Sequence, residues 1–135
     1  MRFIVMGMTT KEVEAGPPPK PEAFVAMQEY NEKAIKAGVL LAAEGLTARS
    51  KGARVKVSGD ERSVIDGPFI ETKELVAGFS IIQAASLAEA IEWVKRAPNC
   101  SPNGEAVIEI RKLMDVEDFG EGFTPNEEIA KVKFQ

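Results

Sequence analysis

Residues 2–8, RFIVMGM, are apolar on both sides of an extended chain: Phe3 and Val5 point one way, Ile4, Met6 and Met8 the other. A strand wanting burial on both faces is predicted there. Residues 9–20, TTKEVEAGPPPK, hold three consecutive prolines, which neither continue a strand nor sit inside a helix, so a long exposed loop is expected. Its lysines and glutamates are read as solvated. Pro21 suits the first turn of a helix running to about Ala37, with Gly38 as its stop. Helical spacing puts Phe24, Met27, Ala34 and Ile35 on one stripe, and Glu29/Lys33 and Glu32/Lys36 at i,i+4 on the other. Asn31 falls within the apolar stripe, where its amide either satisfies a local backbone contact or lines a cavity.

After VLLAAEGL, the run ARVKVSGDERSVI alternates valines with polar residues around Ser58-Gly59-Asp60-Glu61, a hairpin pattern. Residues 76–83, VAGFSIIQ, form the next strand, with Phe79 and Ile81 on one side and Val76, Gly78, Ser80 and Ile82 on the other. Ser86-Leu87-Ala88-Glu89 has the form of a capping box and opens a second helix. Its predicted inner face is Leu87, Ala90, Ile91, Val94 and Ala97, with Trp93 flanking it at the core edge and Pro98 ending it. A last strand over 105–111 sets Ala106, Ile108 and Ile110 against Glu105, Val107, Glu109 and Arg111. The acidic stretch after Leu113 leads to Thr124-Pro125-Asn126-Glu127, a second capping pattern before a short helix.

This order predicts an α+β chain of the ferredoxin-like βαββαβ type with an extra hairpin and two helices on one face of an antiparallel sheet. It divides into a domain over 1–113 and an acidic extension over 114–135, packed on that domain or on its dimer mate. Helices on one side only would leave the other apolar face bare, which soluble monomers seldom tolerate. A homodimer packing its open faces together is therefore expected.

Composition narrows the chemistry. The 135 residues suit a single domain, and the 44% hydrophobic and 28% charged content with net charge −4 argues for a globular chain without a nucleic-acid partner. No segment reaches the roughly 18 apolar residues of a membrane span. With no signal segment at the start and a single cysteine, Cys100, a cytoplasmic location is expected. There is no histidine, which removes Ser-His and Cys-His catalysis and nearly every zinc site. No metal and no cofactor is expected, and any acid or base must be a carboxylate, a lysine or the tyrosine. Cys100, in the loop PNCSPNG, reads as a bland thiol.

The segments AGVLLAAEGL, VIDGPFIETKE, VAGFSII, SLAEAIEWVKRAP and IEIRKL, with the tail EDFGEGFTPNEE, resemble the YCII-related superfamily, and within it the branch named for its Asp-Gly-Pro-Phe motif. The resemblance implies a ferredoxin-like dimeric α/β barrel with a cleft between the sheet and neighbouring segments of each subunit. It implies no known reaction. A His/Asp pair proposed for some members has no counterpart here, because histidine is absent.

The candidate site gathers around the motif. Asp66 and Glu71 are the candidate catalytic carboxylates; Asn31, Glu44, Phe69, Lys73, Ser80, Glu109 and Arg111 are the candidate ligand contacts. Asp66 precedes Gly67-Pro68, so its side chain either clasps the turn through backbone N–H groups or points into the cleft as a base. Glu109 and Arg111 share a strand face, where the guanidinium either pairs with Glu109 or captures an anionic ligand. Two functions fit. One is a cofactor-free isomerase- or lyase-like enzyme acting by carboxylate acid/base chemistry on a small anionic or apolar molecule. The other is a non-catalytic binding or regulatory module, linked to transcription because genes of the resembling branch often lie beside alternative sigma factors.

Overall fold

Phe3 lies at the centre of the fold because β1 (Arg2–Thr9), doubly apolar, takes a middle place in its sheet. The computed structural model describes residues 1–66 and 75–119. The elements after β1 are α1 (Lys11–Ala15), α2 (Pro21–Lys36), β2 (Leu40–Gly45), β3 (Ala53–Ser58), β4 (Glu61–Asp66), β5 (Leu75–Gln83), α3 (Leu87–Lys95) and β6 (Val107–Lys112). Strands β2-β5-β1-β6 form one antiparallel sheet in that order, and β3-β4 a second, two-stranded one. The result is a mixed α+β chain with three α-helices among the described residues, compatible with a ferredoxin-like fold. The residues Gly67 to Glu74 of the motif, including Phe69, Glu71 and Lys73, lie outside the described residues, as does the tail from Gly120 with its second capping pattern.

Phe3, Val39, Ile82, Ala84 and Ala90 form the buried cluster, with Val5, Leu40, Trp93, Val94 and Ile110 packed against it. This sets the helix-covered face. Phe3 pairs with Ile82 and Val5 with Ser80 across β1 and β5, so these residues share it. The opposite face carries Ile4, Met6 and Met8 with Phe79 and Ile81, all half-buried.

Several expectations are corrected by packing. Residues 11–15 are helical: the Thr10 hydroxyl caps α1 by accepting from the Val13 N–H at 3.3 Å, and the prolines stay outside. Glu14 there is not simply solvated, because it pairs with Arg49 at 3.0 Å. On α2 the inward stripe is rotated from the expected one. Ala34 is buried and Met27, Tyr30 and Asn31 are half-buried, whereas Phe24 and Ile35 remain 61% and 59% exposed. The inward stripe thus runs through Met27, Tyr30, Asn31 and Ala34, turned about the helix axis away from Phe24 and Ile35. Neither Glu29/Lys33 nor Glu32/Lys36 closes to an ion pair among the described residues.

Gly38, with φ +73, stops α2 in the left-handed region that favours glycine. The Ser86 hydroxyl caps α3 by accepting from the Glu89 N–H at 3.2 Å, and the Glu89 carboxylate accepts in turn from Ala85 N–H. The inner face of α3 is Ala90, Trp93 and Val94; Leu87 and Ile91 are exposed, Trp93 belongs to the packed side, and the helix ends at Lys95, before Pro98. A register shift after Gly7 pairs Met8 with Val76, carrying Val76 to the Met8 side and away from Gly78 and Ser80.

Candidate functional site

Cross-strand register places three of the candidate residues on the open face. Glu44 on β2 stands opposite Phe79, Phe79 opposite Met6, and Met6 opposite Glu109 on β6, so one row runs Glu44-Phe79-Met6-Glu109 across the sheet. The next row runs Ala42-Ile81-Ile4-Arg111. The face therefore has an apolar middle with acids at both margins and a cation at one. Three strand spacings separate β2 from β6, about 14 Å between backbones. Glu44 and Glu109 are too far apart to share one proton and far enough apart to flank a bound molecule.

Arg111 and Glu109 are both exposed and lie on the same face, two residues apart. No ion pair among the described residues joins them. The structure thus does not show the internal salt bridge, and the guanidinium fork is presented on the open face. The neighbouring cation, Lys112, points into a different arrangement, holding Asp118 at 2.7 Å and Asp115 at 3.6 Å. The hydrogen bond from its ammonium to Asp118 raises the Lys112 pKa above the usual lysine value. This clasp folds the start of the acidic extension, a 3-10 turn over Val116–Phe119, back toward β6.

The other candidates among the described residues, Ser80, Asn31 and Asp66, stand on other elements or on the other face. Ser80 pairs with Val5 and with Ala43, which puts it on the helix-covered side. Asn31 is half-buried on the inward stripe of α2, also on the helix side. Asp66 is the last residue of β4, opposite Ala53 in the separate hairpin sheet. Among the described residues no group of three or more His, Cys, Asp or Glu could hold a metal ion.

Cys100 is half-buried and its Sγ donates to the Ala23 carbonyl at 3.4 Å. Burial pushes its thiol pKa up, which keeps the thiolate scarce at neutral pH. Alkylation by iodoacetamide at pH 8 should accordingly run slower than for free cysteine and speed up when urea unfolds the chain. Equal rates in the folded and unfolded protein would show that the loop does not protect the thiol.

What sequence reasoning missed is that the two acids sit at opposite margins of one row. The signal lay in register, since Glu44 and Glu109 are joined through β5 and β1, and single-strand alternation cannot reveal which residues become cross-strand partners.

Residues 1–117 match the YCII-related domain family. An uncharacterised protein of Rhizobium meliloti is 38% identical over 87 residues, covering 64% of this chain and 69% of that protein. No described helix is long and apolar enough to cross a membrane.

Proposed function

Because this chain belongs to the YCII-related domain family, we propose that it works as a homodimer holding a small molecule against the open face of its four-stranded sheet. Arg111 takes the negative charge of the ligand, and Phe79, Met6 and Ile4 supply the apolar bed. Glu44 and Glu109 are the groups placed for cofactor-free proton transfer of the isomerase or lyase type. The observation that carries this reading is the row Glu44-Phe79-Met6-Glu109 with Arg111 beside it, joined to no carboxylate among the described residues. A second copy laid on this face would cover apolar side chains that a soluble monomer rarely leaves bare and would exclude water from the ligand. From the resemblance of its motif, Asp66 is assigned one of two roles, turn clasp or base.

Two measurements test it. Sedimentation at micromolar concentration should give a dimer, and Phe79→Asp, which places a charge in the middle of the face, should give a folded monomer. Incubation with metabolite mixtures, followed by mass spectrometry of what the protein retains, should recover an anionic compound that Arg111→Gln loses. Turnover of that compound, abolished in Glu44→Gln or Glu109→Gln with unchanged melting temperature, marks the enzyme. A dimer that retains the compound and never turns it over is the non-catalytic module. A monomeric wild-type protein removes the proposal.

A further inference from the structure

A second cleft lies on the helix side of the sheet. Glu29, Tyr30 and Lys33 line it from one face of α2, and Trp93, Arg96 and Pro98 line it from the end of α3 and the residues that follow. Its volume is about 410 Å³, which falls in the range of about 300 to 1,000 Å³ typical of small-molecule sites. One wall is aromatic. Trp93 packs inward on the core cluster, and the Arg96 guanidinium lies over its ring, 4.7 Å from the centroid. The Tyr30 hydroxyl donates to the Trp93 carbonyl oxygen at 3.0 Å, tying α2 to α3 at this point and fixing the phenol. Burial raises the Tyr30 pKa, with Arg96 pulling in the opposite direction, so the phenol stays a protonated donor.

The other wall is charged. A guanidinium held over an indole ring keeps N–H groups for other partners, and a carboxylate matches them with two parallel hydrogen bonds. Neither Arg96 nor Lys33 has a carboxylate within 4.0 Å among the described residues. Among the described residues Glu29 is the sole acid lining the cleft, so the described lining carries two positive groups against one negative, in a chain whose net charge is −4. That surplus suits a monoanion and would be overfilled by a dianion.

We propose that this cleft binds a small aromatic monocarboxylate, its carboxylate on the Arg96 N–H groups near Lys33 and its ring against Pro98 and the part of Trp93 that Arg96 leaves uncovered. This site is independent of the open sheet face.

Trp93 is the only tryptophan of the chain, so its fluorescence reports on the cleft directly. The full chain is titrated with benzoate under tryptophan-selective excitation. A saturable change with a dissociation constant of about millimolar order is expected for so small a ligand. Arg96→Gln should weaken it about tenfold through loss of the charge-assisted pair, and the exposed Lys33→Gln should weaken it by a smaller factor. Benzamide, which keeps the ring and loses the charge, should give no saturable change, and Arg111→Gln should titrate like the wild type. The proposal is overturned if benzamide titrates like benzoate, if neither compound gives saturation, or if both cleft variants bind as the wild type does. It is also overturned if Arg111→Gln abolishes the response, since the ligand would then sit on the sheet face.

Discussion

Phe3→Ala should destabilise the protein by about 3 to 5 kcal/mol, the usual cost of removing a buried phenylalanine and leaving a cavity. Phe3 is 1% exposed and is the largest fully buried side chain of the described residues. It joins β1 to Ile82 of β5 and to the buried Ala90 of α3, so its loss loosens sheet and helix together. Total stabilities of about 5 to 15 kcal/mol leave little beyond such a loss. Urea unfolding at fixed protein concentration measures it, because dimerisation would link stability to concentration. Phe3→Leu, which retains most of the volume, should cost much less. A loss under about 1 kcal/mol for Phe3→Ala would mean that the site collapses around the smaller side chain, against the packing described here.

Gly78→Ala is the second large effect, and its sign is the test. Glycine in a strand interior is normally a weakness, costing roughly 0.5 to 1 kcal/mol relative to alanine. Here a Cβ on Gly78 would meet the Glu44 carbonyl oxygen at 3.0 Å and the Gly45 Cα at 3.3 Å, both backbone atoms. Relief requires β2 to move away from β5, at a cost of about 1 to 3 kcal/mol as for other overpacking. The cross-strand neighbour Gly45 is the control. A Cβ there meets nothing within 4 Å, so Gly45→Ala should stay within about 0.5 kcal/mol of the parent. Calorimetric or urea midpoints for the two variants should therefore separate clearly. Equal midpoints would show that the edge strand yields freely. Because Glu44 itself supplies the contact, Gly78→Ala should also move that carboxylate and weaken ligand binding on the open face.

The element order was legible in the chain because the signals are local. The Ser-x-x-Glu box opens α3, Pro21 opens α2, and the alternating valines around Gly59-Asp60 form the hairpin with Val55 opposite Val64. Which side of each helix turns inward was less legible. Ala34 and Ala90 lie inside as their spacing predicts, but Phe24, Ile35 and Leu87, on the same predicted stripes, stay exposed. Each helix is turned about its axis toward Tyr30 and Trp93, a rotation that spacing alone does not fix. The short α1 was hidden by the prolines after it, although Thr10 is an ordinary cap. For the site, Glu109 and Arg111 could be assigned a common face from alternation alone. Their relation to Glu44 and the separation of Ser80 and Asn31 from that face depend on register, a property of pairs of distant strands.

The place of β1 also orders events in time. Its two neighbours in the sheet are β5 and β6, with Phe3 paired to Ile82 on one side and to Lys112 on the other. During synthesis β1 is the first of these strands to emerge, and neither partner exists until most of the other elements have been made. Until then a strand that is apolar on both faces has nothing to pair with. Contacts this distant along the chain close late and slowly. A nascent chain of this kind depends on whatever shields Phe3-Ile4-Val5-Met6 from water and from other chains until β5 arrives.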